Sequence, residues 1–132
     1  MTGEKDLHKL LQNMSPELID GDFVFCSFAD ARYGDHSLLH PVAAVAESEG
    51  LTLVVPKSCA DEHGIGYESV FRCISLKVHS SLDAVGLTAA FSTKLGEHGI
   101  SANVIAGFYH DHIFVQREQA EVAIAAIGEL SR

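Results

Sequence analysis

The chain has 132 residues, 47% of them hydrophobic and 20% charged, which is enough apolar content for a folded core and too much for a disordered chain. A formal net charge of −9 argues against a phosphate-backbone binder, which needs clustered Lys and Arg, and it repels anionic membrane surfaces. The opening MTGEKDLHKLLQNMS has no long apolar run, so neither signal peptide nor membrane span is expected; Cys26, Cys59 and Cys73, without a CxxC, read as reduced thiols of a cytoplasmic protein.

In chain order, Leu7, Leu10, Leu11 and Met14 follow the i, i+3, i+4, i+7 rule of an amphipathic helix. Pro16 and Asp20-Gly21-Asp22 then punctuate, and Phe23 to Phe28 reads as a strand with Phe23 and Phe25 on one face, Val24 and Cys26 on the other. Ala29 to Pro41, with Gly34, Asp35, His36 and His40, is the longest loop. A hairpin is expected from Val42 to Val55 around Glu47-Ser48-Glu49-Gly50, followed by a short helix from Ser58 to His63 that ends at Gly64 and Gly66. Phe71 to Val78 is a strand with Ile74, Leu76 and Val78 on one face and Ser75, Lys77 and His79 on the other. The periodicity predicts a helix over Ala84 to His98 with a stripe of Ala84, Leu87, Phe91 and Leu95, closed by Gly99 as a left-handed cap. Ser101 to Phe108 and Ile113 to Gln116 are expected to pair around Tyr109-His110-Asp111-His112, and Glu118 to Leu130 is a final helix.

The second half therefore runs βαββα, one strand short of the ferredoxin-like βαββαβ plan. The fold class is α+β. The missing strand must come from the first half or from another chain. Gly64 to Gly66 is the only seam, dividing the chain into residues 1–66 and 67–132.

Motifs for catalysis are poor. Ser80-Ser81 has no base nearby and no GxSxG. Cys59 and His63 are a helical i, i+4 pair read as structural, and Gly64-Ile65-Gly66 is only a fragment of a dinucleotide fingerprint. His110 and His112, with His79 as a third, could ligate a metal in a small enzyme, yet a hairpin turn explains the triplet as well. No cofactor is implied.

Three segments carry a resemblance: Ser80-Ser81-Leu82-Asp83-Ala84-Val85-Gly86-Leu87-Thr88, Gly99-Ile100-Ser101-Ala102-Asn103-Val104 and Tyr109-His110-Asp111-His112-Ile113-Phe114-Val115. They resemble the ACT domain, the small-ligand regulatory module of aspartate kinases. The whole chain is similar to small bacterial tandem-ACT proteins and to the aspartate-kinase-like domains of the cytosolic arginine sensor in animals. Over residues 1–66 the likeness rests on GDFVF and EGLTLVVP, and Val85-Gly86 stands where the kinase pattern has Pro-Gly. The resemblance implies a tandem ACT protein that binds a small molecule, an amino acid above all, associates as a homodimer or larger homo-oligomer, and regulates a partner without catalysis. An oligomerisation module without ligand is the other reading of the same fold.

The ligand residues expected are Ser80, Ser81, Asp83, Val85, Gly86, Leu87, Asn103, Ile105, His110 and Asp111. The loop has its own physical case. A helix N-terminus leaves backbone N–H groups unpaired, and those of Val85, Gly86 and Leu87 would attract a carboxylate. Asp83, Ser80 or Asn103 would receive the ammonium. A competing account has Asp83 or Ser81 capping the helix, and Gly86 allowing close helix–strand packing.

Overall fold

A computed structural model of the protein describes residues 7–77 and 86–131. The order is α1 (Leu7–Gln12), β1 (Pro16–Leu18), β2 (Phe23–Phe28), β3 (Ala43–Glu47), β4 (Gly50–Pro56), α2 (Lys57–Glu62), β5 (Phe71–Lys77), α3 (Leu87–Glu97), β6 (Asn103–Ala106), β7 (His110–Gln116) and α4 (Ala120–Gly128). Short 3-10 turns lie at Ser37–Leu39, Arg117–Gln119 and Glu129–Ser131. Two compact units result. Unit 1 joins the residues up to Asp20 to those from Arg72 onward, and unit 2 is Gly21–Phe71. These units differ from the linear division 1–66 and 67–132, because residues 7–20 fold with the second half.

In unit 1 the strands lie in the order β1-β5-β7-β6. The strand that βαββα lacks is supplied by β1, whose Leu18 pairs with Ile74 and whose Pro16 pairs with Leu76, antiparallel. Ile19 N–H extends this ladder to Cys73 O at 2.9 Å, and Arg72 Nη2 donates to Ile19 O at 3.0 Å. Proline is tolerated here because it stands at the first residue of its strand, on the sheet's border. Alternation along the strands puts Ile74 and Leu76 of β5 and Ile113 and Val115 of β7 in one core with Leu87, Phe91 and Leu95 of α3. Ala120, Ala123 and Ile127 of α4 and Met14 close it. The end of α3 is as expected. Gly99 has φ 70°, Ile100 N–H reaches back to Leu95 O at 3.0 Å, and the Ile100 side chain is buried in the core.

In unit 2 the order is β3-β4-β2, all antiparallel, with Glu47 opposite Gly50 so that Ser48-Glu49 forms a two-residue turn. Val24 and Cys26 of β2 join Leu51, Leu53 and Val55 of β4, Leu39 and Ala60 in a second core. On the opposite face of β2, the Phe25 ring meets Phe71 edge-on at 5.1 Å. Lys57 Nζ and Tyr67 Oη both donate to Asp61, at 2.8 and 2.6 Å, tying α2 to the segment that follows it. The lysine and the tyrosine hydroxyl hold the Asp61 carboxyl below its ordinary value.

Two elements depart from the expectations. The described part of the helix after β5 starts at Leu87, with Gly86 as its N-cap at φ 99°. The His110-Asp111-His112 triplet is not the hairpin turn. It opens β7, paired against β6, and the turn is Gly107-Phe108-Tyr109 instead. Glycine and an exposed aromatic pair take the bend, and the imidazoles stay in a ladder their backbone can extend.

Candidate functional site

The β5–α3–β6 crossover returns the chain so that β6 runs the same way as β5, and the hairpin then turns back into β7. The hairpin at Gly107 to Tyr109 is thereby brought to the sheet end where α3 begins. Two groups of the expected ligand residues share that end: those entering α3 and those opening β7.

Of the first group, Ser80, Ser81, Asp83 and Val85 lie outside the described residues, as does His79. Gly86 adopts a left-handed conformation that side chains rarely take, and its carbonyl accepts from Ala90 N–H at 2.9 Å, the first described bond of α3. The N–H groups of Leu87, Thr88 and Ala89 follow and have no acceptor within the described helix. The N–H groups of Thr88 and Ala89, which the sequence reading did not name, join that of Leu87 as open donors at the start of α3. Leu87 contributes only its backbone there, because its side chain is 4% exposed in the core. Gly86 is the N-cap of α3, and Ser81 and Asp83, the capping residues expected, lie outside the described residues.

The second group divides by face. Asn103 stands opposite Phe114 and Ile105 opposite His112, so Asn103, Ile105, His110, His112 and Phe114 share the sheet face away from the helices. The Asn103 amide donates to Phe114 O at 3.1 Å, which leaves its Oδ1 free to accept. The His110 and His112 rings are 6.2 Å apart. Asp111 points to the opposite, helix-covered face with Ile113 and Val115, since side chains alternate along a strand. Asn103 lies opposite Phe114, four residues from His110 along β7, so only Ile105 and His110 can meet one ligand group at the hairpin end. Asp111 can reach it only around the strand end.

Burial raises the Asp111 carboxyl above its ordinary value, against a smaller opposing pull from His112. A folded value above the unfolded one means that charging is a cost. The stability held by the neutral carboxyl is complete below the unfolded pKa and is lost as pH rises through the raised folded value. Asp111→Asn is therefore expected to raise the melting temperature at pH 7 and to leave it unchanged near pH 3, where the native carboxyl is already neutral. A melting curve at each pH reads this directly.

Burial likewise pushes the Cys73 thiol up to about 11 and raises Cys26, so neither carries nucleophile character at neutral pH. Among the described residues no group of three His, Cys, Asp or Glu side chains is placed to hold a metal ion. No described helix is long and apolar enough to cross a membrane.

Comparison with known proteins agrees with this architecture. Models of the ACT domain match residues 2–72 and residues 68–129. No curated protein matches by sequence. Among solved structures, a Vibrio cholerae protein of unknown function, described as a possible transport protein, is 55% identical. The match covers 97% of this chain and 98% of that one, with a TM-score of 0.87. The ligand-free regulatory subunit of aspartate kinase from Thermus thermophilus is 12% identical, over 89% of this chain and 97% of that one, with a TM-score of 0.65. Clostridium acetobutylicum aspartate kinase, an allosteric enzyme, is 9% identical over 90% of this chain and 34% of its own, with a TM-score of 0.64. The βαββα unit completed by β1, the antiparallel strands β3-β4-β2 of unit 2 and two family matches spanning nearly the whole sequence have one reading: the chain is a tandem pair of ACT domains and belongs to the ACT domain family.

Proposed function

We propose that this protein is a regulatory sensor that binds a small molecule, an amino acid by preference, and acts through contacts with a second copy or another protein in the cytoplasm. The observation that carries the reading is the double ACT match, since ACT domains are regulatory rather than catalytic modules. The ligand's carboxylate would sit on the N–H groups at the start of α3, beside Gly86, Leu87, Thr88 and Ala89. Ser80, Ser81, Asp83 and Val85 would form the entering loop, and Asp83 would hold the ammonium. Ile105 and His110 would contact the side chain, with Asp111 at the strand end. A helix N-terminus favours an anion by its unpaired donors and its dipole, and Gly86 leaves room for a close approach. A thermal-shift screen of the common amino acids against the wild-type chain tests this, and an empty screen refutes it.

Self-association has its own support. Among the described residues β3 pairs only with β4, so its outer edge offers unpaired backbone groups. Its sequence, Ala43-Ala44-Val45-Ala46-Glu47, carries no lysine, no proline and no bulge to discourage a partner strand, and Val42 and Val45 are 55% and 49% exposed. Val45→Lys is expected to weaken association at least tenfold while leaving the melting temperature of dilute protein nearly unchanged. Light scattering across the micromolar range measures it. An unchanged mass would place the contact elsewhere.

A further inference from the structure

The two units cover their sheets unequally. Unit 1 lays α3 and α4, of 11 and 9 residues, against its core, whereas unit 2 has α2, of 6 residues, and the 3-10 turn Ser37–Leu39. Ala44 and Ala46 of β3 pair with Leu53 and Leu51, so they stand on the core face of the unit 2 sheet. Both are nevertheless exposed, while Leu51 and Leu53 are each 1% exposed. The strip left bare opens into a cavity of about 460 Å³, with Val42, Ala44 and Leu53 on its apolar side and Tyr33, Asp35 and Ser37 on its polar rim. That size lies within the roughly 300–1,000 Å³ of small-molecule pockets.

The rim is held in place. Leu39 is 3% exposed and anchors the loop in the second core. The His36 ring stacks on Phe28 at 4.0 Å. Arg32 N–H donates to Asp35 Oδ2 at 2.8 Å, and Asp35 N–H returns to Arg32 O at 2.9 Å. His36 and His40 flank the turn at φ 62° and 52°, a left-handed conformation that costs a non-glycine residue energy and persists only where its surroundings enforce it. The bond from Arg32 occupies Asp35 Oδ2, and Asp35, exposed at the rim, keeps Oδ1 as a further acceptor. Among the described residues no basic side chain pairs with Asp35, and the hydroxyls of Tyr33 and Ser37 have no hydrogen-bond partner.

We propose that this cavity is a second small-molecule site, separate from the loop entering α3, and that it takes an organic cation: a protonated primary amine with a compact apolar body. The ammonium meets Asp35 Oδ1 and the two rim hydroxyls, and the apolar body covers Val42, Ala44 and Leu53. An anion is turned away by Asp35 and by the net charge of −9. A neutral molecule of the same shape keeps the apolar contact and forfeits the charge-assisted bond.

The test is amide NMR of the full chain titrated with phenethylamine, 2-phenylethanol and phenylacetate. Phenethylamine should give saturable shifts at the amides of Tyr33 to Ser37 and of Val42 to Ala44. Phenylethanol should bind at least tenfold more weakly there, and phenylacetate should not bind. Asp35→Asn keeps the acceptor for Arg32 N–H and should weaken amine binding at least tenfold. Ala44→Phe fills the cavity from an exposed position and should abolish binding. If either variant loses its dispersed spectrum, the three probes on the wild type decide. Absence of saturable shifts at those amides, equal binding of amine and alcohol, or unchanged affinity in a folded Asp35→Asn overturns the proposal.

Discussion

Phe91→Ala is expected to destabilise the protein by about 3–5 kcal/mol. Phe91 is fully buried on α3, in the core that holds Ile74, Leu76, Ile113 and Val115 of the sheet together with Ala123 and Ile127 of α4. Removing the ring forfeits its transfer free energy and leaves a cavity that neighbours on rigid strands and helices cannot collapse to fill. Small domains are stable by only about 5–15 kcal/mol, so this single change consumes a large part of unit 1's margin. Urea unfolding followed by far-UV circular dichroism measures it. A loss below about 1 kcal/mol would mean that α3 does not seat on the sheet as described.

Gly50→Ala is expected to cost about 2–4 kcal/mol, large for the addition of one methyl group. Gly50 closes the β3–β4 hairpin at φ 144°, where side chains are rarely accommodated. A Cβ there would lie 2.4 Å from Phe28 O and 2.8 Å from Ala29 Cα, and backbone at the end of β2 cannot move aside like the tip of a flexible side chain. Gly96→Ala is the control. Gly96 is within α3, a Cβ there meets nothing within 4 Å, and the change should stabilise by roughly 0.5–1 kcal/mol. Opposite signs for the two glycines in denaturant melts are the expected result.

Most strands and helices were legible from periodicity because their faces are unequal. Phe23 to Phe28 and Phe71 to Lys77 alternate between two environments, and Leu87, Phe91 and Leu95 return every four residues to the same core. What was not legible depends on distance along the chain. Pro16–Leu18 reads as punctuation, being three residues headed by proline, and only its pairing with β5 makes it a strand. That long-range contact also moves residues 7–20 into unit 1, which no local pattern announces.

The candidate site was legible in part. The ACT likeness pointed to the helix start and to the strands after it, and these elements share one end of the sheet. Turn preference assigned His110, Asp111 and His112 to the bend, whereas Gly107 takes it. A Cβ on Gly107 would come within 2.9 Å of His110 O, so any larger residue there would force the hairpin backbone to shift. The shift puts the triplet in a strand and sends Asp111 to the face opposite His110. Preference for Ser and Asp at helix starts drew attention to Ser81 and Asp83, while a left-handed glycine begins α3.

The most direct test of the amino-acid sensor is calorimetric titration of the wild type and Asp83→Asn with whichever amino acid raises the melting temperature most. A ligand that binds only the folded state, at a hundred times its dissociation constant, stabilises by roughly 2.7 kcal/mol, enough to shift melting by several degrees. Gly86 is the N-cap of α3, and asparagine caps a helix about as well as aspartate, so Asp83→Asn removes a charge at little cost to the helix start. Saturable binding by the wild type, weakened at least tenfold in an Asp83→Asn variant of unchanged unliganded stability, is the predicted result. Equal affinity in both proteins, or no binding by any common amino acid, would contradict it.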